Sequence, residues 1–129
     1  MPKKTKFIRL KEIFNILHGP KGCPWDRKQT FDSVIRHLRE ETREYIQAVK
    51  SRNYRHMKEE LGDILLLVMF NAQMAQKKKK FDIEDVIDGL SKKLVRRHPH
   101  VFGKLKLRSA RQVIMNWNKI KKSEGKRKK

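Results

Sequence analysis

Two acidic runs interrupt a chain dominated by lysine and arginine. The first lies in HLREETREY, His37 to Tyr45, and the second in KEELGD, Lys58 to Asp63. Six of the 14 carboxylates sit there: Glu40, Glu41, Glu44, Glu59, Glu60 and Asp63. Like charges at helical neighbour spacing repel, so a salt bridge, a cationic partner surface or a bound metal must offset the clustering. Glu41 and Glu44 are three residues apart, as are Glu60 and Asp63. Residues at that spacing share one helix face, and each pair can aim two carboxylates at one point. Several hard oxygen ligands, with positions left for water and phosphate, suit Mg²⁺ or Mn²⁺. The competing reading is a set of surface acids paired with the abundant cations.

The elements that must position these pairs are legible in the hydrophobic spacing. In TKFIRLKEIFNILH, residues 5–18, Phe7, Leu10, Phe14 and Leu17 recur at intervals of three and four and predict a first helix. GPKGCPWD breaks it with two glycines and two prolines and reads as a rigid structural loop. Thr30 or Asp32 can cap a second helix, in which Val34, Leu38, Tyr45, Ala48 and Val49 keep helical spacing. Ser51 to Asn53 is a short turn, and a third helix spans roughly Tyr54 to Lys79. In an antiparallel hairpin, Glu44 lies about seven residues before the turn and Glu60 about seven after it, so at ~1.5 Å rise per residue they sit at nearly the same height. Glu41, Glu44, Glu60 and Asp63 then converge across the helix interface.

The centre of the third helix, Ile64 to Phe70 (ILLLVMF), is apolar on nearly every face. A helix that is apolar all round is buried all round. A chain this small cannot cover it alone, which predicts a homodimer about a two-fold axis. Asp82 reads as the N-cap of a fourth helix with Ile83, Val86, Ile87, Leu90 and Leu94 as its stripe, ended by Pro99. Residues 103–108 form a polar linker. Ser109 caps a fifth helix to about Lys122 that carries Val113, Trp117 and Ile120.

The 129 residues suit one all-α domain over 1–122 followed by a basic, disordered tail over 123–129. A formal net charge of +20 attracts polyanions in general, whether nucleic acid, nucleotides or a membrane surface, and chooses among none of them. Local basic runs lie at Gln76 to Lys80 (QKKKK) and Lys121 to Lys129 (KKSEGKRKK), and most of these cations read as solvated helix faces. Any nucleic-acid binding is expected to be weak, nonspecific and salt-dependent. Cys23 is the only cysteine, which excludes an internal disulfide and suits a reducing compartment. It has no histidine nearby in sequence to make it a nucleophile, and His98 with His100 lacks the further ligands of a zinc site. No apolar stretch reaches the ~18 residues that span a bilayer, and the basic start lacks the apolar segment of a secretory signal. A cytoplasmic protein with no membrane partner is expected.

GCPWDRKQTF, REETREY, EELGDILL, KKLVRRHPHVF and NWNKIK occur in that order. Together they resemble the MazG family of nucleoside triphosphate pyrophosphohydrolases over about Phe7 to Lys122. The closest likeness is to the N-terminal copy of members with two tandem domains. The resemblance implies an all-α helical bundle working as a dimer. It implies Mg²⁺-dependent hydrolysis of nucleoside triphosphates to nucleoside monophosphate and pyrophosphate, with a role in clearing non-standard nucleotides. By the same resemblance Glu41, Glu44, Glu60 and Asp63 are metal ligands. Glu40 and Glu59 are catalytic neighbours, either of which would orient or deprotonate the attacking water or hold a further metal. Lys93 and Arg97, with Arg96 as an alternative, match residues that contact the triphosphate. Trp117 and Lys121 match a W-x-x-x-K motif whose indole packs on the base. Their simpler readings are a solvated cationic helix end and ordinary aromatic packing. His37 and His56 stand where catalytic copies carry lysines. The alternative function is a catalytically silent protein of this fold that binds nucleic acid or a partner. The gathered carboxylates oppose it, since a binder of polyanions gains nothing from them.

Overall fold

The computed structural model describes residues 4–127. Its helices are α1 (Lys6–Leu17), α2 (Pro24–Lys28), α3 (Phe31–Lys50), α4 (Tyr54–Lys77), α5 (Ile83–Arg97), α6 (Pro99–Phe102) and α7 (Ala110–Arg127). No strand occurs among the described residues, so the fold is all-α, as the periodicity requires. By its internal contacts the chain divides into two compact units, Met1–Ile83 and Glu84–Lys129.

The first unit is a helical hairpin with a third helix against it. α3 packs along α4, and α1 lies on α4. Phe14 of α1 presents the expected stripe, and Val34 and Ala48 do so for α3. They close on Leu67, Met69, Phe70, Ala72, Met74 and Ala75 of α4, all buried. Each large apolar side chain removed from water in this way contributes ~1.5–3 kcal/mol. The opposite side of α4 stays open. Leu61, Leu65 and Val68 are 49%, 45% and 40% exposed, so within this unit the apolar run is covered on one side.

Local chemistry fixes the helix ends. Of the two candidate caps for α3, Thr30 is the cap. Its hydroxyl accepts from the Ser33 amide at 3.1 Å, and the Ser33 hydroxyl accepts from the Thr30 amide at 2.9 Å, a reciprocal capping box. The turn between α3 and α4 is shorter than its three residues suggest. Arg52 N–H donates to Val49 O and Asn53 N–H to Ala48 O, the pair of bonds that closes a helix through a left-handed residue. Asn53 then caps α4 by accepting from the His56 amide. Arg52 holds φ 55°, a conformation in which glycine is at ease and other residues are strained. Arg52→Gly is therefore expected to stabilise the hairpin by about 0.5–1 kcal/mol, the relief being partly offset by the freer unfolded chain. Thermal denaturation checks this, and an unchanged or lower melting temperature would mean that the arginine side chain contributes more than the backbone strain.

The loop expected at Gly19–Asp26 contains α2, a single turn begun by Pro24 at its first position. The loop doubles back tightly on α1, with Cys23 N–H donating to Leu17 O at 2.8 Å. A Cβ on Gly22 would lie 2.1 Å from that same carbonyl oxygen, so only glycine fits.

In the second unit, α5 begins directly after Asp82 and ends before Pro99. Pro99 starts α6, a short helix that sequence periodicity did not announce. Ser109 accepts from the Gln112 amide at 3.2 Å and caps α7 as expected. Val113, Trp117 and Ile120 form its less exposed stripe. α7 continues past Lys122 to Arg127, and residues 128–129 lie outside the described part.

Candidate metal centre

The α3–α4 hairpin brings the two acidic runs together. Glu41 from α3 and Glu60 and Asp63 from α4 each offer a carboxylate oxygen, and these oxygens lie within 4.8 Å of one another. Glu60 is 5% exposed, while Glu41 and Asp63 are half-buried. Glu44, the fourth expected ligand, is exposed and outside that group. It remains close enough to hydrogen-bond Glu60 and to act electrostatically on Glu41.

Without a counter-charge this is an unfavourable arrangement. Burial, the shared hydrogen bond with Glu60, and the charges of Glu44 and Asp63 push the Glu41 carboxyl up to about 8. The two carboxyls share a hydrogen bond, so the pair holds a proton between them. That bond alone would lower Glu60, but burial and the neighbouring Glu44 and Asp63 outweigh it and raise Glu60 as well. Glu41 Oε2 and Glu60 Oε2 are both buried with no hydrogen-bond partner. Buried polar atoms are nearly always satisfied. Two orphaned carboxylate oxygens facing a third carboxylate fit a hard divalent cation, which takes oxygen ligands and removes the repulsion.

The remaining acids stand apart from this group. Glu40 lies 3.9 Å from Arg36 Nε and 3.8 Å from His37 Nδ1, in the open. Glu59 is exposed on α4. His56 Nε2 approaches Glu60 Oε1 at 3.5 Å, so both of the noted histidines flank acidic residues.

Beside the carboxylates lies a cavity of about 270 Å³ whose wall includes Glu41, Asp63, Trp25, His37, Leu67 and Phe70. Its aromatic groups pack edge to face, Trp25 on His37 at 6.1 Å and on Phe70 at 6.3 Å. Sequence reasoning assigned Trp25 to a structural loop. The signal that could have found it is a large aromatic at the first turn of a proline-started helix just before the acidic hairpin.

Lys93, Arg97, Trp117 and Lys121 belong to the second unit, where they have neighbours of their own. Arg97 is held by Glu124, with Nη2 to Oε2 at 2.9 Å and Nε to Oε1 at 3.4 Å. Arg96 Nε donates to the same carboxylate at 2.7 Å. Together the two guanidiniums, Arg97 first, hold the Glu124 carboxyl down at about 2. The Arg97 guanidinium also lies 5.2 Å from the Trp117 ring, and His98 meets that ring edge-on at 5.0 Å. Lys93 and Lys121 are exposed. Glu124, placed by sequence in a disordered tail, is thus the acid that ties α7 to α5.

Among known proteins, the sequence pattern of the MazG nucleotide pyrophosphohydrolase domain matches residues 29–102. The chain is 49% identical over 123 residues to the nucleoside triphosphate pyrophosphohydrolase/pyrophosphatase MazG of Thermotoga maritima, covering 95% of this chain and 47% of that protein. It is 45% identical over 119 residues to the uncharacterized protein YabN of Bacillus subtilis, covering 92% of this chain and 24% of that one. The chain therefore spans from about a quarter to about half the length of these relatives. The crystal structure of a mazG-related protein from Thermotoga maritima superimposes with a TM-score of 0.72 at 30% identity, covering 88% of this chain and 97% of that one.

Proposed function

Because the chain belongs to the MazG nucleotide pyrophosphohydrolase domain family, we propose that it hydrolyses nucleoside triphosphates to nucleoside monophosphate and pyrophosphate. The observation that carries this reading is the group Glu41, Glu60 and Asp63, with two unpartnered buried oxygens, of which Glu41 and Asp63 line an aromatic cavity. These three residues, with Glu44 at the rim, would hold a divalent cation, Mg²⁺ or Mn²⁺ by the hardness of the donor set. When bound, the cation supplies positive charge for phosphate oxygens and lowers the pKa of a coordinated water.

The chain's own side chains do the rest. Trp25, His37 and Phe70 shape a space in which a planar base stacks and water is excluded. Uptake of the attacking water's proton is assigned to Glu40 or Glu59 by the resemblance alone, and both stand apart from the three ligands. The resemblance alone assigns Lys93, Arg97, Trp117 and Lys121 to the substrate, and Arg97 would have to exchange Glu124 for phosphate. The open apolar side of α4, with Leu61, Leu65 and Val68, is covered in this reading by a second copy of the chain, since a contiguous apolar face of this kind rarely stays in water. The high net charge adds at most weak, salt-sensitive attraction to nucleic acid. Clearance of non-standard nucleotides is the proposed role.

Release of pyrophosphate from a panel of ribo- and deoxyribonucleoside triphosphates with millimolar Mg²⁺ tests the proposal. Release from none of them would leave the carboxylates without a catalytic role. Trp25→Ala is expected to raise KM about tenfold for every base while changing kcat little, because stacking on an indole contributes ~1–3 kcal/mol and tolerates base identity. A change confined to one base, or an unchanged KM, would remove Trp25 from the substrate site.

A further inference from the structure

A second cavity, of about 370 Å³, lies in the first unit and shares no lining residue with the one beside the acids. Five charged side chains line it: Arg27, Lys77 and Lys78, and facing them Asp26 and Asp32. His18 completes the polar lining. It is 5% exposed and its Nε2 has no hydrogen-bond partner. The ring is fixed in place by stacking on Phe14 at 6.2 Å and by edge contact with Phe70 at 4.8 Å. A buried ring nitrogen without a partner is costly and rare, and here it belongs to a residue in a cavity wall. The other polar side chains of the wall are already used. Gln29 donates to Trp25 O and accepts from Ser33, and Thr30 caps α3.

Lys77 and Lys78 come from the QKKKK run that the acidic site leaves unexplained. They are not at the end of a fraying helix. Lys78 N–H donates to Met74 O, Lys79 N–H to Gln76 O and Lys80 N–H to Ala75 O. Lys79 adopts φ 57°, so the helix closes in the left-handed cap and the backbone that carries the two lysines is held at the cavity. Among the described residues, none of the five charged groups is ion-paired. The cavity therefore presents charge of both signs outside any ion pair, with an excess of cations, Arg27 Nη1 donating to Pro20 O at 3.4 Å.

We infer that this cavity is a second ligand site, built for a sugar phosphate monoester. The phosphate would meet Arg27, Lys77 and Lys78, a grouping of donors that suits its oxygens. Sugar hydroxyls would donate to Asp26 and Asp32. A polyphosphate is disfavoured by the two carboxylates. Inorganic phosphate would leave both carboxylates without partners. The volume is at the lower end of the ~300–1,000 Å³ usual for small-molecule sites. The site is also placed to matter to the acidic one. α2 contributes Trp25 to one cavity and Asp26 and Arg27 to the other, and Phe70 touches both His18 and Trp25.

Isothermal titration of the whole protein with ribose 5-phosphate, in buffer made metal-free with a chelator, tests this independently of any hydrolysis. Saturable binding in the submillimolar range is expected, with inorganic phosphate binding at least about tenfold more weakly. The double variant Arg27→Gln/Lys77→Gln, at exposed positions, is expected to keep the wild-type melting temperature and to lose about tenfold or more in affinity. Glu60→Gln is expected to bind like the wild type. Absence of saturable binding at millimolar ribose 5-phosphate, equal affinity for inorganic phosphate, undiminished binding by the double variant, or loss of binding in Glu60→Gln would each overturn the assignment. The last result would return the ligand to the acidic site.

Discussion

Glu60→Gln is expected to lower turnover of nucleoside triphosphates by about 100-fold or more while KM moves by no more than about threefold. Glu60 is the most buried of the acids, has an unpartnered buried oxygen, and groups with Glu41 and Asp63. The amide keeps the volume but removes a negative charge and turns an N–H toward the site, so it weakens cation binding where charge on the phosphates must be offset. A loss that falls on kcat identifies an interaction strengthened in the transition state. Glu44→Gln gives the contrast. Glu44 is exposed and outside the close group, so its loss is expected to cost about tenfold, in the lower range for residues that support a metal ligand. Steady-state kinetics of both variants at saturating Mg²⁺ decide this. Equal losses would make Glu44 a full ligand, and an unaffected Glu60→Gln would make the acids a surface cluster.

Stability should respond to metal and to pH together. In the metal-free protein the Glu41 carboxyl is raised from 4.5 to about 8, by burial first and then by its acidic neighbours. Between those values the folded chain holds a proton that the unfolded chain has released. Stability of the metal-free protein therefore falls as pH rises through that window and levels off above it. A divalent cation must displace the same proton, so its binding releases protons and tightens from about pH 6 to about pH 8. Binding to the folded state alone stabilises by ~2.7 kcal/mol at a hundredfold excess over Kd. The rise in melting temperature with millimolar Mg²⁺ is thus expected to be larger at the upper end of that range than at the lower, and to be mostly absent in Glu60→Gln. The same gain at both pH values, or in both proteins, would place the cation elsewhere.

What could be read from sequence follows from how local each interaction is. The carboxylates were legible because an i, i+3 spacing and a three-residue turn fix direction and height through backbone geometry alone. That argument places Cα atoms, and it could not tell that Glu44 ends at the solvent edge while Glu41 and Glu60 turn inward. The helices carrying Phe14, Val34 and Trp117 followed from periodicity. α2 and α6 did not, because a single turn begun by proline has no period to detect. Trp25 lay hidden for that reason, among glycines and prolines that signalled only a loop. Glu124 was missed because its partners Arg96 and Arg97 lie 28 and 27 residues earlier, and pairing across such a separation leaves no local pattern in a tail rich in lysine.

The central claim is that Glu41, Glu60 and Asp63 serve hydrolysis between the α and β phosphates. The most direct measurement is chromatography of the products formed from a nucleoside triphosphate with Mg²⁺ by the wild type and by Asp63→Asn. The account predicts nucleoside monophosphate and pyrophosphate in equal amounts from the wild type, and at most about a hundredth of that rate from Asp63→Asn. Nucleoside diphosphate and phosphate as products, or undiminished activity in Asp63→Asn, would contradict it.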